Sequence, residues 1–322
     1  MPRPNSISWS SSLLRRDLSA RAEHLARTQK LLHDISSGSD PVVIFGRDEQ
    51  GRHGNFHAAS YDNICANPVW LRRLSKVHTA SRRSRARKDW RWMELDSCNS
   101  SDALLMNIFC HPGVFDGHTL IPAVANLLNI EAATRPCFGI KAGVPLLSGR
   151  SSRTDLKDRT EIDLQLGNLF VEAKLTESDF QTAAPRLIER YRDFETVFDP
   201  GHLPRKRLYT PAAHPLAEDY SQLEEPTATL PLLEPTEKSS RTVINGYQLI
   251  RNVLAAYAAD ASFCVLCDAR RHDLIEIWYS VLSAVHRPTF AGRLKLLTWQ
   301  ELAAVLPEDL QQFLELKYGI GS

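Results

Sequence analysis

Two short runs decide the fold: Glu161-Ile-Asp-Leu-Gln-Leu166 and Leu169-Phe-Val-Glu-Ala-Lys-Leu175, separated by Gly167-Asn168. Both alternate with a period of two, as strands with one buried face do. The Gly-Asn pair is a two-residue hairpin signal, weaker than Asn-Gly. A turn there sets Leu166 opposite Leu169, hence Asp163 opposite Glu172 and Glu161 opposite Lys174. On that register the four charged side chains share one face, and Ile162, Leu164, Val171 and Ala173 anchor the other in a core. Facing residues have Cβ atoms roughly 4.5–5.5 Å apart. Two carboxylates that close repel each other unless a cation lies between them. A hard divalent ion such as Mg²⁺ takes oxygen ligands of this kind.

Glu161-Ile-Asp163 followed by Val171-Glu172-Ala173-Lys174 resembles the active-site motif of the PD-(D/E)xK nuclease superfamily, and the surrounding chain is similar to a bacterial group of restriction endonucleases. The motif covers residues 161–174, and the order of elements extends the likeness from Arg150 to Asp268. The resemblance implies an α/β fold with a restriction-endonuclease-like core, a small mixed sheet flanked by helices. It also implies hydrolysis of phosphodiester bonds in double-stranded DNA, Mg²⁺ as cofactor with Mn²⁺ as substitute, and a role in restriction or defence. By the same resemblance Asp163 and Glu172 are metal ligands, the carbonyl of Ala173 adds a third, and Lys174 orients or deprotonates the attacking water. Glu161 either pairs with Lys174 or joins the metal site. Ile162 stands where the motif usually has proline.

An upstream helical glutamate often completes such sites. Glu94 and Glu131 are the candidates, with Glu94 preferred because it follows the basic segment in Trp92-Met-Glu94. Some members carry a glutamine and a tyrosine four residues apart on the helix after the second strand. Here Gln248 is followed at that spacing by Asn252, a partial match that still directs Gln248 toward the scissile phosphate or the water.

The rest of the chain frames this motif. With 322 residues, 43% of them hydrophobic, it can bury a sizeable core. Lys and Arg number 39 against 38 Asp and Glu, so the net charge of +1 names no partner. Its distribution says more. Arg72, Arg73, Lys76, Arg82, Arg83, Arg85, Arg87, Lys88 and Arg91 crowd one stretch with a single acid, Asp89. That segment could hold a DNA backbone, with salt-dependent binding, or dock on the acidic stretch at 214–237. Residues 200–235 contain seven of the 18 prolines and read as an insertion covering one face.

Leucines and alanines at helical spacing predict helices over Asp17–Ile35, Ser101–Cys110, Leu120–Ile130, Tyr247–Ala259, Trp299–Val305 and Leu310–Leu316. Asp179–Phe198 is also expected to be helical, with Pro185 near a start or kink. Pro41–Phe45 and Ser262–Asp268 read as strands, and Leu274–Val281 as a strand or the start of a helix. One nuclease-like domain over 1–322 is expected: a helical extension over 1–148, and a catalytic core over 149–322 with the Pro-rich insertion at 200–240.

Cys264-x-x-Cys267 is a lone pair whose members face opposite sides of a strand, so core thiols are the simpler reading. His53 and His57 fall in a Gly-rich loop, more in keeping with a surface role than with the site. Six cysteines make no disulfide scaffold, and a cytoplasmic protein with reduced thiols is expected. No apolar run approaches about 18–20 residues, so no membrane span is expected. A homodimer would suit double-strand cleavage. Two other readings stand beside the nuclease. One is a nuclease-fold protein that binds nucleic acid without turnover. The other is a structural or interaction protein with a salt-bridged hairpin.

Overall fold

The computed structural model describes residues 8–37, 40–77, 93–147, 156–209 and 240–321. Along the chain come α1 (Ser11–Gln29), β1 (His33–Ile35), β2 (Val43–Phe45), α2 (Ala58–Ala66), α3 (Pro68–Leu71), α4 (Ser101–Phe109), α5 (Pro122–Leu128) and β3 (Pro136–Pro145). Then follow β4 (Lys157–Leu166), β5 (Leu169–Ala173), β6 (Thr182–Ala183), α6 (Pro185–Ile188), α7 (Phe194–Val197), β7 (Arg205–Tyr209) and β8 (Ser240–Asn245). The last third holds α8 (Tyr247–Ala258), β9 (Ser262–Cys267), α9 (His272–Leu282), α10 (Pro288–Ala291), β10 (Leu294–Thr298), α11 (Trp299–Ala303) and α12 (Glu308–Tyr318).

The central sheet has the order β10-β9-β5-β4-β3. β3, β4 and β5 are antiparallel neighbours, and β9 and β10 run parallel to β5. This is the mixed sheet flanked by helices that the hairpin and its downstream helix and strand imply. The hairpin register places Leu166 opposite Leu169 and Leu164 opposite Val171. Gly167 turns with a φ of 57°, a conformation that costs glycine nothing. A parallel neighbour needs a crossover, and α8 provides it between β5 and β9.

Helices cover both faces of the sheet. One core joins Leu14 and Leu18 of α1, the buried residues of α4 and α5, and Trp299, Leu302, Leu310 and Leu314 to Leu164, Leu166, Val171, Cys264 and Leu266 of the strands. The other joins Leu249, Val253 and Leu254 of α8 and Leu274 and Trp278 of α9 to Ile162, Phe170, Phe263 and Val265. β9 is buried on both faces, which explains its unbroken apolar run. α1 buries Leu14, Leu18, Ala22, Leu25 and Ala26 and is capped by the Ser10 hydroxyl, which accepts from Leu13 N.

Some elements differ from expectation. Asp179–Phe198 is not one helix: β6 and the single turns α6 and α7 occupy it. Pro185 sits at the first position of α6, where its missing N–H costs nothing, and its fixed geometry ends any continuation from upstream. Leu274–Val281 resolves as helix within α9. β3 and β10 were not foreseen. β3 begins and ends on proline and contains Gly139 and Gly143, residues that mask a strand in sequence but are tolerated on an edge strand such as this. β3 precedes residue 149 yet pairs along its length with β4. β6, β8 and β7 form a separate antiparallel sheet. Among the described residues no helix is long and apolar enough to cross a membrane.

Candidate active site

β4 does not keep one face throughout. Leu164 and Leu166 enter the core lined by α4, whereas Ile162 enters the core lined by α8. The strand therefore rotates at Asp163. The β3 register puts Phe138 opposite Leu164 and Ile140 opposite Ile162, so Gly139 falls opposite Asp163. Gly139 has a φ of 62°, which bends the edge strand at that point. Asp163 is left at the seam between the two layers, beside β5.

Glu172 is 1% exposed and points to α8. Its Oε1 accepts from Gln248 Nε2 at 2.5 Å and lies 2.9 Å from Lys174 Nζ; its Oε2 accepts from Asn252 Nδ2 at 2.7 Å. Lys174 Nζ also donates to Gln248 Oε1 at 2.9 Å and lies 5.6 Å from the centre of the Phe180 ring. The Lys174 backbone is held at both ends, by Leu266 O and by the Trp299 indole N–H. Asp163 Oδ2 accepts from Ala173 N at 2.9 Å. The structure thus brings Asp163, Glu172, Ala173, Lys174 and Gln248 together.

The electrostatics follow from burial. Desolvation pushes Asp163 well above the usual carboxylate range, and the charges of Glu172 and Asp102 push it further. Desolvation also raises Glu172, against the opposing pull of Lys174. For Lys174, burial alone would favour the neutral amine. The carboxylates of Glu172, Glu177 and Asp163 outweigh it and keep the ammonium protonated beyond the ordinary lysine range.

Glu161 is elsewhere. It does not face Lys174, because the rotation at Asp163 turns it toward α4. There Arg73 Nη2 lies 2.9 Å and Lys76 Nζ 3.2 Å from its Oε1, and Lys141 pairs with its other oxygen. Burial alone would raise Glu161; Lys141, Lys76 and Arg73 together pull it down to about 2. Asp102, in the first turn of α4, accepts from the same Arg73 at 2.8 Å and Lys76 at 2.7 Å. The helical acid whose charge bears on Asp163 is Asp102. Glu94 lies on a 3-10 turn, 2.9 Å from Lys76, and Glu131 is exposed in a loop. Asp102 went unnoticed as a site residue because an acid in a first helical turn already has an ordinary explanation in the helix dipole. Glu177 was also missed. It accepts from Ser101 Oγ at 2.7 Å and Leu175 N at 2.6 Å, and its charge acts on both Glu172 and Lys174.

Of the basic segment, Arg72 is exposed, whereas Arg73 and Lys76 are engaged by the carboxylates just named. Arg82, Arg83, Arg85, Arg87, Lys88 and Arg91 lie outside the described residues, as does the acidic stretch at 214–237. Cys264 and Cys267 enter opposite cores, and burial pushes both thiols up to about 12. They behave as core residues. His53 is buried, with Nε2 3.2 Å from Asp96.

A second cluster was not foreseen. His57, His111 and Asp309 offer ligand atoms all within 4.8 Å of one another, a set that could hold a divalent metal ion. Its hydrogen bonds favour another role. Gly113 N donates to His111 Nδ1 at 3.1 Å, so Nε2 carries the proton and donates to Asp309 at 3.2 Å. A metal at Nε2 needs the opposite tautomer, with Nδ1–H against the Gly113 N–H. The buried His57 Nδ1 has no partner, where a metal-bound imidazole normally donates to an outer acceptor. The cluster joins the start of α2, the end of α4 and the start of α12.

A mixed five-stranded sheet lies between helical layers, with acids and a lysine gathered at the bend of its hairpin: the chain is an α/β protein with a candidate functional site there. The chain belongs to the family described as restriction endonuclease associating with ARP, whose model matches residues 29–319. No curated protein and no solved structure matches it.

Proposed function

We propose that this protein is a Mg²⁺-dependent endonuclease that hydrolyses phosphodiester bonds in double-stranded DNA, with Mn²⁺ as a substitute and a role in restriction or defence. Membership of a restriction-endonuclease-associated family supports the reading. The observation that carries it is the geometry of the hairpin end: Asp163 accepts from Ala173 N at 2.9 Å, and Glu172 lies 2.9 Å from the Lys174 ammonium.

The donor chemistry suits a hard divalent cation: the charges of Glu172 and Asp102 both bear on Asp163, and an ion bound among these oxygens would relieve that repulsion. Asp163, Glu172 and Asp102 would hold it, with the Ala173 carbonyl beside them. Bound there, the ion supplies a water of lowered pKa and stabilises the leaving oxygen. Lys174 would place positive charge near the scissile phosphate and orient or deprotonate the attacking water. Gln248 spans Lys174 and Glu172 and holds the two in register. Arg72, with the basic residues at positions 82–91, would contact the DNA backbone, which makes binding salt-dependent.

Cleavage of supercoiled plasmid with Mg²⁺, Mn²⁺ or EDTA tests this, beside folded Lys174→Ala and Asp163→Ala proteins. Metal-dependent nicking or linearisation is expected, reduced by about 10²–10³-fold in Lys174→Ala and abolished in Asp163→Ala. Retention of DNAs of varied origin without any cleavage would overturn the reading in favour of a nuclease-fold binding protein.

A further inference from the structure

Glu172 can accept about four hydrogen bonds, two at each oxygen. Lys174 and Gln248 take both directions at Oε1. Asn252 takes one at Oε2. One acceptor direction is left on Oε2, and the Asn252 amide that occupies the other holds that oxygen in place.

Asn252 is itself held. Its side chain is fully buried, and its Oδ1 accepts from the Thr160 hydroxyl at 2.7 Å. The acceptor-only carboxylate of Glu172 fixes the amide: Nδ2 must face Oε2, and Oδ1 then takes the Thr160 hydroxyl as its donor. A flipped amide would set an oxygen against Oε2 and leave an N–H₂ facing Thr160. Thr160 is 3% exposed, so water does not replace its hydroxyl. The relay crosses three elements: Thr160 on β4, Asn252 on α8 and Glu172 on β5.

We infer that Asn252, locked by Thr160, is a positioning residue that orients Glu172 toward the divalent cation of the active centre. The inference rests on the nuclease reading above and adds a determinant of metal affinity that lies outside the motif. Outer residues that hold a metal-ligating carboxylate typically contribute 10–100-fold in affinity or activity.

The test is Mn²⁺ binding by titration calorimetry to the full chain, with Asp163→Asn as the control that assigns uptake to this centre. Plasmid cleavage at saturating DNA runs in parallel. Thr160→Val removes only the hydroxyl at nearly constant shape, and Asn252→Asp replaces the donor with an acceptor. Both are expected to weaken Mn²⁺ binding by about tenfold or more. They should lower kcat while KM for DNA stays within twofold of the wild-type value. Thr160→Ser keeps the hydroxyl and is expected to bind Mn²⁺ as the wild-type protein does. Thr160→Val acts even if Asn252→Asp fails to fold. Wild-type Mn²⁺ affinity in folded Thr160→Val overturns the inference and leaves the nuclease reading intact. A loss in Thr160→Ser equal to that in Thr160→Val also overturns it. A wild-type protein that takes up no Mn²⁺ and cleaves nothing overturns both.

Discussion

At the scale of single side chains, burial and the charges of Glu172 and Asp102 oppose ionisation of Asp163. Its pKa is raised in the folded chain, so the unfolded chain gives up the proton more readily. The native state is therefore penalised at every pH above the unfolded value near 4. The penalty grows as pH rises toward the folded pKa and is absent in strong acid. Asp163→Asn should accordingly raise Tm of the metal-free protein at pH 7 and leave it unchanged at pH 3. The scale is roughly 2–4 °C per kcal/mol for a domain of this order of size. A scanning fluorimetry series in pH measures this, and an equal shift at both pH values would contradict it.

Glu161 behaves oppositely. Held down to about 2 by Lys141, Lys76 and Arg73, it stabilises the fold above the unfolded glutamate value, and loses that contribution as pH falls through about 2. Glu161→Gln should lower stability modestly at pH 7, since the pair is partly solvated, and converge with wild type near pH 2. Urea midpoints at the two pH values would show it. Asp163, Glu172 and Lys174 were legible in sequence because one hairpin spaces them. Asp102 was not, because its place depends on a helix docked from a distant part of the chain, nor was Glu177, which sits in the loop after β5; Asn252 showed only as a partial spacing match to Gln248.

At the scale of elements, the bend of β3 at Gly139 governs which acid faces which layer. A Cβ at Gly139 would lie 1.9 Å from Arg73 Nη1, and its φ of 62° disfavours any other residue. Gly139→Ala is expected to displace Arg73 from Asp102 and Glu161 and to destabilise by about 1–3 kcal/mol. Chemical denaturation reads this, and a neutral outcome would mean that Arg73 moves without cost. The helices α4 and α8 were legible from spacing, α4 also from its Ser100 cap, whereas α1 begins earlier than the expected Asp17 and ends at Gln29, with His33–Ile35 forming β1 instead. The edge strand β3 was not, because glycine and proline hide a strand whose partner lies in tertiary space. Pro185 was correctly placed near a helix start, yet the helix around it was overestimated. Local apolar spacing there serves packing of short turns, not a continuous face.

At the scale of the whole molecule, the residues before and after 149 share the core beneath α4 and the sheet itself. Leu18 of α1, fully buried, packs in the same core as Leu310 and Leu314 of α12. Leu18→Ala should cost about 2–5 kcal/mol in a urea titration. A fragment spanning 149–322 lacks β3 and the helical cover of one face. It should show no cooperative unfolding transition by circular dichroism, and a sharp transition would show that the second half folds alone.

The sequence by itself determined the hairpin, its register near the turn, the helix–strand succession after it and the identity of the acid-acid-lysine set. All of these are carried by local periodicity, turn chemistry and spacing. Tertiary packing set the turn of Glu161 away from Lys174, the reach of the Asp102 charge to Asp163, and the hydrogen bonds that run from Thr160 through Asn252 to Glu172. The reason is physical. A period-two pattern specifies alternation only while a strand stays regular. The rotation at Asp163 arises where β4 meets Gly139 of β3 and packs against a different helical layer on each side.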